Sequence, residues 1–237
     1  MRRVLLLIAA AMALGPVGPA GAGALRVSPV GLDLPAGRAA ATLTLRNDDA
    51  APMNVQVRLF RWTQGPDGER YEPATDVVVS PPIAPRAPHS ERVVRVVRTG
   101  PDVAGREDSY RVIVDELPPP PGTEGREVRL LMRHSIPVFF TPAGSHAPKV
   151  AWSAAVDGAA VKLTGVNRGG RRLRVSNLRL VAADGTVLVQ RPGLVGYVLA
   201  GAEVAWTAPL DVAGAAPARL LADTDAGPLD APLNSHL

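Results

Sequence analysis

The residues of this sequence that could carry acid–base or metal chemistry are scattered singly along the chain. None of the four histidines falls at metal-ligand spacing; they are His89, His134, His146 and His236. Asp115 and Glu116 are adjacent, so they point to opposite faces of a strand and cannot pair as acid and base. The sequence also lacks a Gly-x-Ser-x-Gly elbow, a His-Glu-x-x-His motif, a phosphate-cradling glycine loop and any cysteine. We therefore predict that the protein is not an enzyme and holds no cofactor and no metal ion.

One short segment has a pattern suited to binding. In the stretch 128–132, the apolar residues Val128, Leu130 and Met132 recur at every second position and share one face of a strand. Alternate apolar residues usually pack in a protein's own core, but on an open sheet edge they can join the sheet of a partner. This pattern alone leaves both alternatives open.

The elements that must position these residues are short strands. The chain has 23 glycines and 24 prolines among 237 residues, and they punctuate segments of alternating or β-branched character. Around residues 93–97 arginines recur at every third position, as on a helix, but the four valines favour a strand. The dipeptide Asp184-Gly185 predicts a hairpin turn. We predict strands over residues 25–30, 40–46, 53–62, 90–98, 109–116, 128–140, 161–166, 173–182, 187–190 and 203–206, and no helix after residue 24.

The strands fall into two groups. Residues 142–148 have no periodic apolar content and are typical of an interdomain linker. A single immunoglobulin-like unit contains about 100 residues, so the length fits two such units. We expect an all-β chain of two immunoglobulin-like β-sandwich domains, residues 25–143 and 148–237, joined by a short linker.

The first 24 residues are typical of a secretory signal peptide. Arg2 and Arg3 precede an apolar run over residues 4–14, and small residues lead up to Ala24. A membrane-spanning helix needs about 20 apolar residues, so we expect cleavage after Ala24 and no membrane insertion; the alternative is an uncleaved anchor. Without the two arginines the formal net charge falls from +4 to +2. That charge is too small to indicate a nucleic-acid partner.

Several motifs follow one another in a recognisable order. They are Val27-Ser28-Pro29, residues 41–47, Val55-Gln56-Val57-Arg58, Ser80-Pro81-Pro82-Ile83, Val94-Arg95-Val96, Tyr110-Arg111-Val112 and Ile136-Pro137-Val138-Phe139. With this ordered set, the chain resembles the periplasmic pilus chaperones of the chaperone–usher pathway.

The resemblance implies a function and a location. Chaperones of this family bind, fold and cap pilus subunits by donor-strand complementation and deliver them from the periplasm to an outer-membrane usher. A pilus subunit is a sandwich that lacks its last strand, so its open core aggregates unless a partner fills it. The resemblance assigns the donor positions to Val128, Leu130 and Met132. The alternative function is a secreted immunoglobulin-like adhesin or carbohydrate-binding module, which would normally offer exposed aromatic rings.

The chain departs from the family at the carboxylate anchor. In well-known members, two basic residues of the interdomain cleft hold the subunit's C-terminal carboxylate, and here those positions carry Gly31 and Pro137. The candidates for a replacement anchor are Arg95, Arg111 and Arg133.

Arg95 is the first of these candidates. On its strand face it lies between Val93 and Val97, which is an unusual place for a charge without a partner. The alternative for Arg95 is a structural ion pair with Asp115 or Glu116.

Overall fold

A computed structural model of the chain describes residues 25–101, 105–118, 130–211 and 214–235. The expected signal peptide, residues 1–24, lies outside the described residues. The described residues form strands and the turns between them, and none of them is helical. Within these ranges there is accordingly no helix with the length and apolarity that a membrane crossing requires.

The described strands divide at residue 142. Those before it are β1 (Leu25–Ser28), β2 (Leu32–Pro35), β3 (Ala40–Asn47), β4 (Met53–Gly65), β5 (Gly68–Pro73), β6 (Val77–Ser80), β7 (Ile83–Arg86), β8 (Glu91–Arg98), β9 (Asp108–Leu117) and β10 (Arg133–Thr141). Those after it are β11 (Val150–Asp157), β12 (Ala160–Asn167), β13 (Leu173–Val181), β14 (Val187–Val198), β15 (Glu203–Pro209), β16 (Arg219–Thr224), β17 (Gly227–Pro232) and β18 (Asn234–Ser235).

Strands β1 to β10 form the first sandwich. Sheet A has the strand order β1-β3-β8-β6, and sheet B has the order β2-β10-β9-β4-β5, with β7 also paired to β4. Alternate side chains of the two sheets meet in one apolar core that includes Leu43, Val57, Val94 and Val112. Burial of each such side chain contributes roughly 1.5 to 3 kcal/mol, so the apolar alternation in the sequence is what holds the sheets together.

A network of polar groups lies within the first sandwich. Arg61 donates hydrogen bonds to Asp76 at 2.5 Å and to the Tyr110 hydroxyl at 2.9 Å, and that hydroxyl donates to Asp76 at 2.7 Å. Asp108 accepts from Arg61 at 3.2 Å and from Arg98 at 2.6 Å. These bonds compensate two carboxylates that the fold removes from most of the solvent.

Strands β11 to β18 form the second sandwich. Sheet C has the order β15-β12-β11-β18 and sheet D the order β14-β13-β16-β17. The core between them includes Trp152, Val175 and Leu220. The predicted hairpin turn joins β13 to β14: Gly185 has a φ of +89°, which suits glycine, and the Asp184 carboxylate accepts a hydrogen bond from the Thr186 N–H at 2.9 Å.

The prediction of an all-β chain with two immunoglobulin-like sandwiches is confirmed. Residues 93–97 lie in strand β8, as their valines favoured. The predicted strand over residues 128–140 differs, because β10 begins only at Arg133. Among the described residues, β9 ends at Leu117 and is followed by Pro118, which has no N–H to offer to residues 130–132. Several short strands escaped prediction, among them β2, β5, β7 and β17.

The two sandwiches meet through an apolar cluster. Trp62 and Phe139 of the first sandwich are buried against Leu199 of the second, and Tyr197 packs beside them. The side-chain amide of Gln64 bonds to two backbone groups of the second sandwich, the Tyr197 carbonyl and the Leu199 N–H, each at 2.9 Å. The sandwiches are therefore held to one another by both packing and hydrogen bonds.

Candidate functional site

Strand β10 has an edge that is only partly paired. On one side it pairs with β9 from Arg133 to Phe140. On the other side it pairs with β2, but only from Val138 to Thr141. Within the described part of the chain, the stretch from Arg133 to Pro137 therefore has no partner strand on that side. An unpaired edge of this kind is a template for pairing with another chain.

The hydrogen-bonding groups along this open edge follow from the register. The Met132 carbonyl accepts a bond from the Glu116 N–H at 3.0 Å, so Met132 faces β9. Because these groups alternate along an antiparallel strand, Arg133, Ser135 and Pro137 turn their backbone groups to the open edge. Proline has no N–H, so only Arg133 and Ser135 can donate from this stretch.

The predicted donor residues precede this edge. Leu130 is 75% exposed and Leu131 42% exposed, whereas Met132 is partly buried. Val128 lies outside the described residues. The described part of the chain thus leaves the Leu130 side chain out of its own core.

The outer face of sheet B faces the second sandwich. We call it the cleft face; its residues include Phe60, Trp62, Arg111, Pro137 and Phe139. Alternation explains this placement, because Tyr110 and Val112 point into the core and the residue between them must point outward. Arg111 is paired directly opposite Pro137 on the adjacent strand.

The two positions where the family has basic residues are neighbours at this face. A Cβ atom placed on Gly31 would lie 3.7 Å from Pro137 Cγ, which is ordinary van der Waals contact. Neither Gly31 nor Pro137 carries a charge. On β9, the strand paired with β10, the basic residue directly opposite Pro137 is Arg111.

Arg111 is bounded by aromatic rings. Its guanidinium carbon lies 3.8 Å from the centroid of the Trp62 ring and 5.8 Å from that of Tyr197. Such stacking of a cation on a ring is attractive. Among the described residues, no carboxylate forms an ion pair with Arg111, and its Nε is buried without a hydrogen-bond partner.

The Tyr71 hydroxyl lies at the rim of the same site. Burial, together with the hydrogen bond that Tyr71 donates to Glu69 and the charge of that carboxylate, raises the pKa of Tyr71 to about 12, although Arg111 acts in the opposite direction. The hydroxyl therefore stays protonated at neutral pH. Tyr71 therefore adds no negative charge beside Arg111.

Arg133 and Arg95 occupy different environments. Arg133 is 66% exposed on its side chain and forms an ion pair with Asp115, which also accepts a bond from Arg58 at 2.6 Å. Burial acts to raise the pKa of Asp115, but the hydrogen bonds and charges of the two arginines outweigh it, and the pKa is lowered.

Arg95 lies on the exposed face of sheet A, paired with Thr42 and Ser80, across the core from the cleft face. The ion pair expected as the alternative for Arg95 is formed by Arg133 instead. Of the three candidates, Arg111 is the one paired directly opposite Pro137, whereas Arg95 lines a surface pocket together with Gly31.

The described histidines belong to no metal-binding cluster. His134 makes a 3.2 Å contact between its Nε2 and the Leu25 carbonyl oxygen, and His236 lies outside the described residues. Across the described ranges, no cluster of three His, Asp or Glu side chains could hold a metal ion. Sequence reasoning missed the ring cluster, since no pattern relates Trp62 to Tyr197, which follows 135 positions later.

Two immunoglobulin-like sandwiches with a partly open edge strand beside the cleft between them define a class of two-domain all-β proteins. The chain belongs to the family of pili and flagellar-assembly chaperones: residues 24–146 match the model of the PapD N-terminal domain. The resemblance inferred from the ordered motifs is thereby confirmed. No curated protein sequence matches the chain.

Several solved structures share the fold of this chain. One is a chain of the CsuC–CsuE chaperone–tip adhesion subunit pre-assembly complex from archaic Csu pili of Acinetobacter baumannii, with a TM-score of 0.70 and 23% identity over 90% of this chain and 99% of that chain. A second is a chain of the SafA pilin–SafB chaperone complex of Salmonella enterica, with a TM-score of 0.61 and 20% identity over 90% and 98%. A third is the E. coli chaperone DraB, with a TM-score of 0.59 and 23% identity over 89% and 96%.

Proposed function

We propose that this protein is a periplasmic chaperone that binds, folds and caps pilus subunits by donor-strand complementation and delivers them to an outer-membrane usher. The observation that carries the proposal is the open edge of β10 from Arg133 to Pro137, preceded by the exposed Leu130. Membership of the pilus-assembly chaperone family supports it.

The edge can act on a partner in two ways at once. Its free N–H and carbonyl groups supply main-chain hydrogen bonds to an incoming strand. The alternate side chains of the segment that precedes it, which we assign as Val128, Leu130 and Met132, supply the apolar surface that an incomplete sandwich lacks. Met132 has a flexible thioether chain, which suits pockets of different shapes.

Arg111 is the residue that we assign as the anchor for the subunit's C-terminal carboxylate. It lies at the cleft face, opposite Pro137, and has no carboxylate partner among the described residues. Arginine suits this role because its planar guanidinium can bind a carboxylate through two parallel hydrogen bonds. In this mechanism the protein catalyses no reaction, and the energy for assembly is stored in the subunit's incomplete fold.

The described tryptophans argue against the alternative function. Trp62 and Trp152 are buried, and Trp206 is packed against the second core. A carbohydrate-binding module would need such rings on its surface.

The test is affinity purification of the tagged protein from the periplasm of its own cells, followed by mass spectrometry. We expect a pilus subunit to be recovered with the tagged protein in a molar ratio of about one to one. Leu130→Asn should reduce its recovery about tenfold, because an unsatisfied amide in the subunit groove costs about 1 to 3 kcal/mol. Leu131→Asn, on the opposite face, is the matched control and should retain binding.

The melting temperature separates a donor strand from a core strand. Because Leu130 is exposed, its replacement should change the free energy of unfolding by no more than about 0.5 kcal/mol. A variant Leu130→Asn that unfolds more easily but still captures the subunit would refute the donor assignment. Recovery of a glycan in place of a subunit would favour the binding-module alternative.

A further inference from the structure

The environment of Arg111 contains residues from both sandwiches. Trp62 belongs to β4 of the first sandwich, whereas Tyr197 belongs to β14 of the second. Their rings lie 5.6 Å apart between centroids and are nearly perpendicular, at 86°. Arg111 stacks on Trp62 and is within cation–π reach of Tyr197. Arg111 therefore lies near both the Trp62 ring and the Tyr197 ring only while the two sandwiches are docked.

Gln64 determines where the Tyr197 ring lies. Its side-chain amide donates to the Tyr197 carbonyl and accepts from the Leu199 N–H, both at 2.9 Å. These two bonds resemble one rung of a β-ladder, made by a side chain across the domain boundary. They fix the backbone on either side of Val198 and so limit where the Tyr197 ring can go.

Phe139 supports the same arrangement from the other side. Its ring centroid lies 5.6 Å from that of Tyr197 and 6.1 Å from that of Trp62. The Phe139 ring is in turn covered by the Arg172 guanidinium of the second sandwich at 3.6 Å. Tyr197 is thus packed against two rings of the first sandwich.

This packing has a consequence for anion binding. An arginine that is free to rotate loses conformational freedom when it captures a carboxylate, and that loss weakens binding. An arginine already stacked between rings has lost that freedom in the unbound protein. The second sandwich therefore prepares Arg111 for its ligand without touching the ligand itself.

We infer that the second domain completes the carboxylate site of the cleft, with Tyr197 and Gln64 as positioning residues that hold Arg111 in its binding geometry. This inference rests on the proposed function, in which Arg111 is the anchor. It gives the second domain a defined part in the site, through residues that lie on the far side of the cleft from the open strand edge.

The experiment follows the Arg111 Nε–H resonance by NMR while acetate, the simplest carboxylate, is added to the full mature chain at constant ionic strength. Sodium chloride in place of acetate controls for general salt effects. In the unmodified protein we expect a saturable shift of that resonance. Arg111→Ala identifies the resonance by removing it.

Four variants test the positioning role. Tyr197→Ala should raise the apparent acetate Kd at least tenfold, whereas Tyr197→Phe, which keeps the ring, should stay within twofold of the unmodified protein. Gln64→Ala removes no ring but releases the backbone around Tyr197, and should raise the Kd severalfold. Leu194→Ala changes an exposed residue of the same strand and should have no effect. If Tyr197→Ala is poorly folded by thermal melting, Gln64→Ala still provides the test.

The outcomes separate this inference from the proposed function. A saturable response that Tyr197→Ala and Gln64→Ala leave unchanged would overturn the positioning role while the Arg111 anchor stands. The absence of any acetate response at Arg111 in the unmodified protein would overturn the anchor itself, and the inference with it.

Discussion

Arg172 of the second sandwich forms an ion pair with Glu107 of the first, with 2.7 Å between the guanidinium and carboxylate atoms. The Glu107 side chain is fully buried and accepts two further bonds, from the Arg172 backbone N–H at 3.1 Å and from the Thr141 hydroxyl at 2.8 Å. The Glu107 N–H donates to the Gly170 carbonyl at 2.8 Å. The two backbone segments approach so closely there that a Cβ atom placed on Gly170 would lie 2.5 Å from the Gly105 carbonyl oxygen. This contact joins the two sandwiches through a charge that is removed from water.

Breaking that ion pair should destabilise the protein strongly. Arg172→Ala leaves the Glu107 carboxylate buried without its cation, a change that typically costs about 3 to 5 kcal/mol. Urea denaturation of the mature chain measures the loss. Arg174→Ala, which changes an exposed arginine of β13 two residues further along the chain, is the control and should change the free energy of unfolding by about 0.5 kcal/mol at most. A loss below 1 kcal/mol for Arg172→Ala would mean that solvent compensates Glu107.

Restoring the family's basic pair should rescue a protein that lacks its anchor. We expect Arg111→Ala to abolish subunit recovery, because the loss of a desolvated charge partner costs about 2 to 5 kcal/mol. Adding Gly31→Arg and Pro137→Lys should restore recovery, since a side chain at position 31 meets only ordinary contact with its neighbour. The neutral pair Gly31→Gln and Pro137→Gln, in the same background, controls for shape. Full recovery with Arg111→Ala alone would place the anchor elsewhere.

Asp115 should make the protein sensitive to acid. Burial acts to raise its pKa, but the hydrogen bonds and charges of Arg133 and Arg58 lower it overall. A carboxyl whose pKa is lower when folded stabilises the protein above its unfolded pKa of about 3.9, and this stabilisation is lost as the pH falls through the folded pKa.

The measurement is the urea midpoint at pH 5 and at pH 3. Asp115→Asn should be less stable than the unmodified protein at pH 5 and should lose less stability on going to pH 3. Asp67→Asn, whose carboxylate is 82% exposed, is the control and should keep the full acid dependence. An unchanged acid dependence in Asp115→Asn would contradict the prediction.

The Tyr110 hydroxyl should stabilise the polar network of the first sandwich. Burial raises the pKa of Tyr110, so the hydroxyl stays protonated and donates to Asp76. Tyr110→Phe keeps the ring, which packs edge-on against Phe140 at 5.7 Å, but leaves Asp76 and Arg61 each short of one bond. We expect a loss of about 1 to 3 kcal/mol by thermal unfolding. Tyr71→Phe removes a hydroxyl from a residue that is 45% exposed and should have little effect; equal losses in both variants would contradict the assignment.

Much of the fold could be predicted from local pattern. The alternation in residues 40–46 and 53–62 placed strands β3 and β4 correctly, because the side chains of a strand alternate between its faces whatever it pairs with. The start of β10 could not be predicted in this way. It depends on where β9 ends, and a strand continues only while a partner supplies its hydrogen bonds.

The candidate carboxylate anchors show the same difference between what local pattern predicts and what tertiary contacts decide. By alternation alone, Arg95 and Arg111 are equivalent, since each lies between inward-pointing apolar neighbours. They differ only because β8 belongs to sheet A and β9 to sheet B, and strand order within a sandwich depends on contacts between distant segments.

The sequence by itself determined that Arg111 points out of its own sandwich, because the direction of a side chain along a strand follows from neighbours one position away. Only the tertiary structure decided what Arg111 meets there. Gln64 and Tyr197, which bring the second sandwich against the cleft face, are 133 residues apart. Their contact arises from the docking of two completed cores, and no local pattern in the sequence specifies how two such surfaces fit together.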